Sequence, residues 1–466
     1  MVVPAIRERQ MAVANWVAAA IIAAVGAVVV GSSIAATTGS GQAHELDVVG
    51  AVFLAVGVVV GAASAVLAPT YLRHRTRGFF GSGPRWYYFA FYLLWAMLLA
   101  IPTVQNLGIA WVLVGVSTGV TCLLVAYSGT GRALEAGWKY LILTTLGLVV
   151  ALMGILILYS SAERPGDSLA ALNWSAMSTS ATGVPHDAAV VAIIFITVGF
   201  AAKIGWAPVH HWLPDAHSEA PAPVSAMLSA ALLPMVILVV WRLDLATELG
   251  PPGSPRIMLL VFGLMSLAVS VPFLWAPLPV KRLLAYSSLE HMGLIAIGLG
   301  FANPIATTGV LLHVCGHAVA KSLGFYATMP LFARDASAAS APLRGAATTS
   351  PAGASALGIS LGALSGLPPS PLFVSELLIM VGGIASGQVA IVAVTAVLLA
   401  LAFIGLTRQT LEALFADVAS APTGPVTPRR WWILSVAFGS LLLALVVLAW
   451  YVFTLPGWSA IAGGLS

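Results

Sequence analysis

The sequence predicts an all-α integral membrane protein of about 13–14 transmembrane helices. Three observations predict it. Of the 466 residues, 60% are apolar and 8% are charged, against about 25% charged in a soluble globular domain. Apolar runs of the roughly 20 residues that cross a bilayer recur along almost the whole chain. The polar connections between them are short, and the longest, 161–186 and 408–430, are too short to fold alone. No soluble fold of this length could hide so much apolar surface, so lipid is the solvent for most of it.

Taken in order, the spans fall at 12–36, 48–71, 86–104, 107–127, 138–160, 187–204, 223–243, 257–276, 286–301, 307–332, 352–386, 388–407 and 431–453. Arg7 and Arg9 precede the first. Its apolar stretch is too long for the core of a cleaved signal and reads as a retained span. The eleventh run is too long for one ordinary helix and contains Gly366-Leu-Pro-Pro369-Ser-Pro371, so it reads as one span broken in the middle. The distribution of basic residues tests this map. With thirteen spans, one set of loops holds Arg7, Arg9, Arg73, Arg75, Arg77, Arg85, Arg132, Lys281, Arg282, Arg334, Arg344, Arg408, Arg429 and Arg430, and the opposite set holds Arg164, Arg242 and Arg256. That asymmetry puts the N-terminus in the cytoplasm and the C-terminus outside.

Several function classes are excluded. Cys122 and Cys315 both sit in apolar runs, which rules out a disulfide scaffold and gives no metal-ligand spacing. No phosphate-cradling loop, nucleotide motif or haem attachment motif is present, so no cofactor or metal is expected. The net charge of +4 is explained by topology and does not call for a nucleic-acid partner.

What remains are ionisable groups inside the spans. A charge at the centre of a membrane helix costs at least about 2.5–3.5 kcal/mol, so each needs a reason. Lys139 lies in Gly137-Trp-Lys-Tyr-Leu-Ile-Leu143 at the start of a span, where snorkelling to the interface is the plain alternative. Lys203 lies where an apolar helix runs into a proline-containing loop. His313, His317 and Lys321 are spaced i, i+4, i+8, which puts three titratable groups on one helical face, with Ser322 next to them. That stripe looks like a hydrated proton path. Glu376 follows the Pro-Pro break, and irregular backbone at membrane depth is tolerated where it lines a cavity or is buried in protein. Glu290 and His291 are weaker candidates, being only about one turn inside the ninth predicted span. Each half of the chain also carries a proline-interrupted span, at Trp206-Ala-Pro-Val-His210 and at Leu367-Pro-Pro-Ser370. Each has a lysine inside a span upstream of its break, Lys139 and Lys321. Paired interruptions of this kind point to an internal repeat with ion sites at the breaks.

The segment Lys203-Ile-Gly-Trp-Ala-Pro-Val-His-His-Trp-Leu-Pro-Asp-Ala-His-Ser-Glu-Ala-Pro-Ala-Pro-Val-Ser-Ala-Met-Leu-Ser229 closely resembles the signature of the antiporter-like subunits of respiratory complex I and its relatives. Three further stretches are similar to the same family: Lys281-Arg-Leu-Leu-Ala-Tyr-Ser-Ser288, His313-x-x-x-His317-Ala-x-x-Lys321-Ser-Leu323, and Gly366-Leu-Pro-Pro369 through Ser375-Glu376. The run from Asn106-Leu-Gly-Ile-Ala-Trp-Val112 to Ala133-Leu-Glu-Ala-Gly-Trp-Lys-Tyr-Leu-Ile-Leu143 looks most like component F of hydrogenase-4 and formate hydrogenlyase-type complexes. The resemblance covers roughly residues 86–410.

That resemblance implies two inverted five-helix repeats, each with a broken helix. The expected division is N-terminal transmembrane helices over 1–85, a first repeat over 86–250, a second over 251–410, and a C-terminal loop and helix over 411–466. It implies a proton pathway through Lys139, Lys203, His210, His211, His313, His317, Lys321 and Glu376, with Glu135, Asp215, His217, Glu290 and His291 as secondary members. The lysine matching Lys203 is the switch of the first half-channel, the one matching Lys321 the central relay, and the acid matching Glu376 the end of the path. The implied partners are other membrane subunits of a complex I-like assembly and a peripheral iron–sulfur, hydrogenase or dehydrogenase arm. The implied location is the inner (cytoplasmic) membrane of a bacterium or archaeon. Two positions depart from the pattern. The family's glutamate partner of the switch lysine is replaced by Gly115, and a lysine on the helix after the signature loop is replaced by Pro234. Lys203 then has to rely on water and Ser117 or Thr118. Three readings stay open: a proton-translocating subunit of a redox-driven complex, a subunit of an Mrp-type antiporter or ion-coupled inorganic-carbon transporter, and a scaffold that no longer conducts.

Overall fold

An α-helix satisfies its own amides, which lets an apolar chain sit in lipid. In the computed structural model the described residues are 2–39, 47–72, 84–161, 169–180, 185–247, 254–332 and 337–417. They are helical almost throughout, with no strand among them. The helices are α1 (Val2–Gly39), α2 (Val48–Leu72), α3 (Pro84–Ala100), α4 (Leu107–Val125), α5 (Gly131–Ser160), α6 (Trp174–Ser180), α7 (His186–Ile204), α8 (Trp212–Glu219), α9 (Ala222–Met227) and α10 (Leu233–Ala246). The second half contains α11 (Ser254–Trp275), α12 (Val280–Gly300), α13 (Pro304–Leu331), α14 (Ala346–Thr349), α15 (Pro351–Leu364), α16 (Pro371–Ala385) and α17 (Val389–Phe415).

Each predicted span between residues 12 and 407 coincides with one of these helices or with a broken pair. Ten described segments are long and apolar enough to cross a membrane, and the chain is a multi-pass membrane protein. The remaining two spans are α13, whose histidines and lysine lower its hydropathy, and the α15–α16 pair, whose halves are each shorter than a span. The predicted span 431–453 and the loop arginines Arg73, Arg75, Arg77, Arg164, Arg334, Arg429 and Arg430 lie outside the described residues. Polar caps set several helix starts. The side chains of Asn106, Thr130, Asn303 and Ser370 accept backbone N–H groups of α4, α5, α13 and α16 at 3.2, 3.2, 2.8 and 3.3 Å.

Two helices begin well before the predicted spans. α5 starts at Gly131, not near 138, and α12 at Val280, not near 286. Arg132, Lys281 and Arg282 occupy their first turns, and a hydropathy reading trims such charged turns away. Arg242, counted above with the loops, lies inside α10, where it donates to Asp47 at 2.7 Å and to the Val104 carbonyl at 3.2 Å.

Packing follows the chemistry. Large apolar side chains point outward along α4, α5, α11 and α17, among them Val116, Leu146, Val261 and Val397. α9, α10 and α12 are almost wholly enclosed. Where α5 meets α7 the backbones touch: a Cβ on Gly199 would collide with the Ala151 amide and the Gly147 carbonyl, the small-residue contact usual between membrane helices.

The two halves repeat an order of elements. In each, a broken element packs on the long helix that precedes it, α7 and α8 on α5, and α15 and α16 on α13. The first break runs from Gly205, whose φ is +81°, to His211; the second runs from Ser365 to Ser370 and includes Gly366 at φ +71°. Both glycines adopt the left-handed conformation, which costs other residues about 1–2 kcal/mol. Just beyond α9 the helix widens to a π turn over Leu228–Leu232, ahead of Pro234, which has no N–H to give.

Candidate functional site

The enclosed helices carry the polar groups. Lys203, in the last turn of α7, has no exposed surface. Its Nζ donates to the hydroxyls of Thr118 on α4, at 2.7 Å, and Tyr140 on α5, and lies 4.7 Å from the centre of the Tyr140 ring. No carboxylate forms an ion pair with it among the described residues. Gly115, one turn before Thr118, has nothing within 4 Å of where a Cβ would stand. Of the two hydroxyls expected from the sequence, Ser117 and Thr118, Thr118 meets Lys203; Tyr140 was missed, and its signal was an aromatic hydroxyl directly beside Lys139. Ser117 is turned to the Val114 carbonyl of its own helix.

The first break is held by indoles. Trp212 Nε1 donates to the Ala202 carbonyl at 2.8 Å, satisfying an end of α7, and Trp206 Nε1 donates to Met292 of α12 at 3.0 Å. At the far end of α8, Lys281 Nζ donates to the carbonyls of Ser218 and Ala220 at 3.2 and 2.6 Å, and in its first turn Asp215 accepts from Arg282 at 2.7 Å. The Lys281-Arg282 pair thus clamps the first broken element to the start of α12.

That clamp reassigns part of the predicted pathway. Lys139 is 46% exposed and pairs with Glu135 at 2.7 Å and Asp215 at 3.1 Å. These three residues form a peripheral network with Arg282, apart from the buried groups. Snorkelling, the plain alternative for Lys139, matches this placement. His211 is exposed; His210 is buried against it, their ring centres 4.5 Å apart. His217, secondary by sequence, is fully buried. Its Nδ1 lies 2.8 Å from the Leu213 carbonyl, its Nε2 has no partner among the described residues, and its ring is 5.9 Å from Phe325 of α13.

The second half gathers the rest. His313, His317 and Lys321 share one face of α13 and are fully buried. Lys321 Nζ donates to the Leu284 carbonyl of α12 at 2.6 Å. Because α12 starts early, Glu290 and His291 lie at its centre and are buried, a full membrane-depth position and not the one-turn depth expected. Glu290 lies within electrostatic reach of both Lys321 and Glu376, and one carboxylate oxygen has no partner among the described residues. Among the described residues neither ring nitrogen of His317 has a partner, and its ring centre is 5.3 Å from that of His291. His291 Nδ1 is 3.0 Å from His313 Nε2, and His313 Nδ1 is 2.9 Å from the Ser375 hydroxyl on α16. Ser375 was not singled out in the sequence; its signal was its place beside Glu376. The Glu376 carboxylate folds back over the break: a Cβ on Gly366 would meet its Oε2 at 2.6 Å. The site gathers Lys321, Glu290, His317, His291, His313 and Glu376 from α12, α13 and α16, and donor atoms of His291, His313 and Glu376 lie within 4.8 Å of one another.

A family model described as "NADH:quinone oxidoreductase/Mrp antiporter, TM" matches residues 104–402. The chain is 32% identical to a hydrogenase-4 component F homolog from Methylacidiphilum infernorum over 84% of this chain and 82% of that one. It is 18% identical in sequence to a chain of the Mrp complex from Dietzia sp. DQ12-45-1b, with a TM-score of 0.78 over 96% of this chain and 91% of that one. With a chain of respiratory complex I from Thermus thermophilus the TM-score is 0.69 at 19% identity, over 95% and 96%. These last two likenesses are of fold. With the family model covering well over half the chain, this protein belongs to the transmembrane family of NADH:quinone oxidoreductase and Mrp antiporter subunits.

Proposed function

We propose that the chain carries protons through the membrane along its buried row, as one membrane subunit of a redox-driven assembly of the hydrogenase, formate dehydrogenase or NADH–quinone type. The observation that carries the reading is the hydrogen-bonded contact His291–His313–Ser375 running up to Glu376, in line with His317 and Lys321. Every member of that row can take up or pass on a proton, and each lies where a charge is costly unless it is used or paired. The unpaired polar atoms of His317, Glu290 and His217 are places for bridging water. Protons enter on the cytoplasmic side near Lys203, pass by His217 to Lys321, and leave by Glu376 to the other side. The N-terminus lies in the cytoplasm of a bacterium or archaeon, where the basic loops gather. A peripheral iron–sulfur arm supplies the driving force through neighbouring membrane subunits.

A second reading has its own observation. Among the described residues Lys203 has no carboxylate partner and Gly115 stands open, which favours a scaffold whose first half no longer conducts. Comparing Lys203→Ala with Lys139→Ala separates the two. Proton uptake into vesicles is expected to fall at least tenfold for Lys203→Ala, in keeping with the roughly 10²–10⁴-fold contribution of a positioned proton-transfer group. Lys139→Ala should stay near wild type, because exposed ion pairs contribute about 0–1 kcal/mol. Equal, small effects would favour the scaffold.

A further inference from the structure

We infer that His291, His313 and Glu376 form a binding site for a zinc-class divalent cation, and that an ion seated there blocks the row. One donor atom from each, supplied by α12, α13 and α16, lies within 4.8 Å of the other two. Two imidazole nitrogens and one carboxylate oxygen suit zinc, and three protein ligands leave a fourth position open. Spacing along the chain gives no hint of the set, because the ligands come from three helices.

The surroundings favour an ion over a chance cluster. His291 Nδ1 and His313 Nε2 already face one another at 3.0 Å, and a tetrahedral ion with nitrogens at about 2.0–2.1 Å needs only a small widening of that pair. The other nitrogen of His313 is engaged by Ser375 at 2.9 Å. A second hydrogen bond of this kind fixes the ring and tautomer of a metal-binding histidine. The Glu376 carboxylate lies against Gly366 at the edge of the break, and Leu367, Pro368 and Pro369 beside it are exposed. Of the three ligands the carboxylate is the least buried, and both histidines are enclosed. Once bound, an ion occupies the two nitrogens that would exchange a proton.

The site does not rest on the proton-carrying reading; only the inhibition does. The test uses the full-length protein with Zn²⁺ alone, with Mg²⁺ as the hard-ion control. The expected result is one Zn²⁺ per chain by equilibrium dialysis, no competition from Mg²⁺, and at least tenfold weaker binding in His291→Gln and His313→Gln. Ser375→Ala keeps all three ligands and should weaken binding by about 10–100-fold. Co²⁺ added to the wild-type chain needs no variant and should give the intense visible absorption of a four-coordinate site. Zn²⁺ affinity unchanged in the histidine variants, or a Co²⁺ spectrum of six-coordinate type, overturns the site. In vesicles, Zn²⁺ should stop proton uptake. If uptake proceeds at saturating bound Zn²⁺, the blocking claim falls and the site stands. If the vesicles take up no protons before Zn²⁺ is added, the proton-carrying reading fails while the binding result still decides the site.

Discussion

Replacing Lys321 with alanine is expected to reduce proton uptake into inside-out vesicles by roughly 10²-fold or more, the scale of a lost proton-transfer group. Lys321 sits where the first half meets the second. It has no exposed surface, it donates to Leu284 of α12, and it continues the face that carries His317 and His313. Removing the amine takes one donor from the buried Leu284 carbonyl, which keeps the Ser288 hydroxyl at 2.9 Å, so the lost bond costs about 0.5–1.5 kcal/mol. Thermal unfolding in detergent therefore belongs beside the transport assay, and the variant should fold with a modestly lowered midpoint. Lys321→Arg sharpens the test. Arginine keeps the charge but does not release its proton in proteins, so a relay fails with arginine whereas a merely structural cation survives. Full uptake by the arginine variant would contradict the relay.

His313→Leu should have an effect of similar size. His313 is the residue whose two nitrogens meet both His291 and Ser375, at 3.0 and 2.9 Å. Leucine fills much of the same space and passes no proton, so the row is cut between α12 and α16. A loss of about 10²–10⁴-fold in uptake is expected, with Ser375→Ala less severe because it leaves every titratable group in place. Uptake in the leucine variant close to wild type would show that protons bypass the histidines.

The legible part of this protein was its periodicity and its breaks. Runs of apolar residues located twelve spans, and Gly366-Leu-Pro-Pro369 located the interruption of the eleventh, because proline removes a donor wherever it falls. The i, i+4, i+8 spacing placed His313, His317 and Lys321 on one face without any structure. Relations between helices were harder to read. Lys139, at the start of a span, left pathway and snorkelling both open, and only the fold shows that the side chain reaches Glu135 on its own helix and Asp215 from 76 residues away. Glu290 and His291 looked shallow because Lys281 and Arg282 hid the first turns of α12 from a hydropathy reading. Those two basic residues serve the α8 carbonyls and Asp215, an attachment between the halves that neither segment discloses alone. Ser375 and Tyr140 went unremarked because a hydroxyl gains a role only from what faces it.

The two halves differ in how their charge is held. Lys203 is met by hydroxyls and an aromatic ring, while Lys321 shares its surroundings with Glu290. Conduction through the second half is therefore the central claim. The most direct test is proton uptake by inside-out vesicles carrying the complete assembly, wild type against Glu376→Gln, with redox turnover recorded in the same samples. Glutamine keeps the shape and hydrogen-bonding capacity over Gly366 and removes the exchangeable proton. Retained redox turnover with lost proton uptake is the predicted result. Unchanged uptake would contradict it and make this subunit a scaffold.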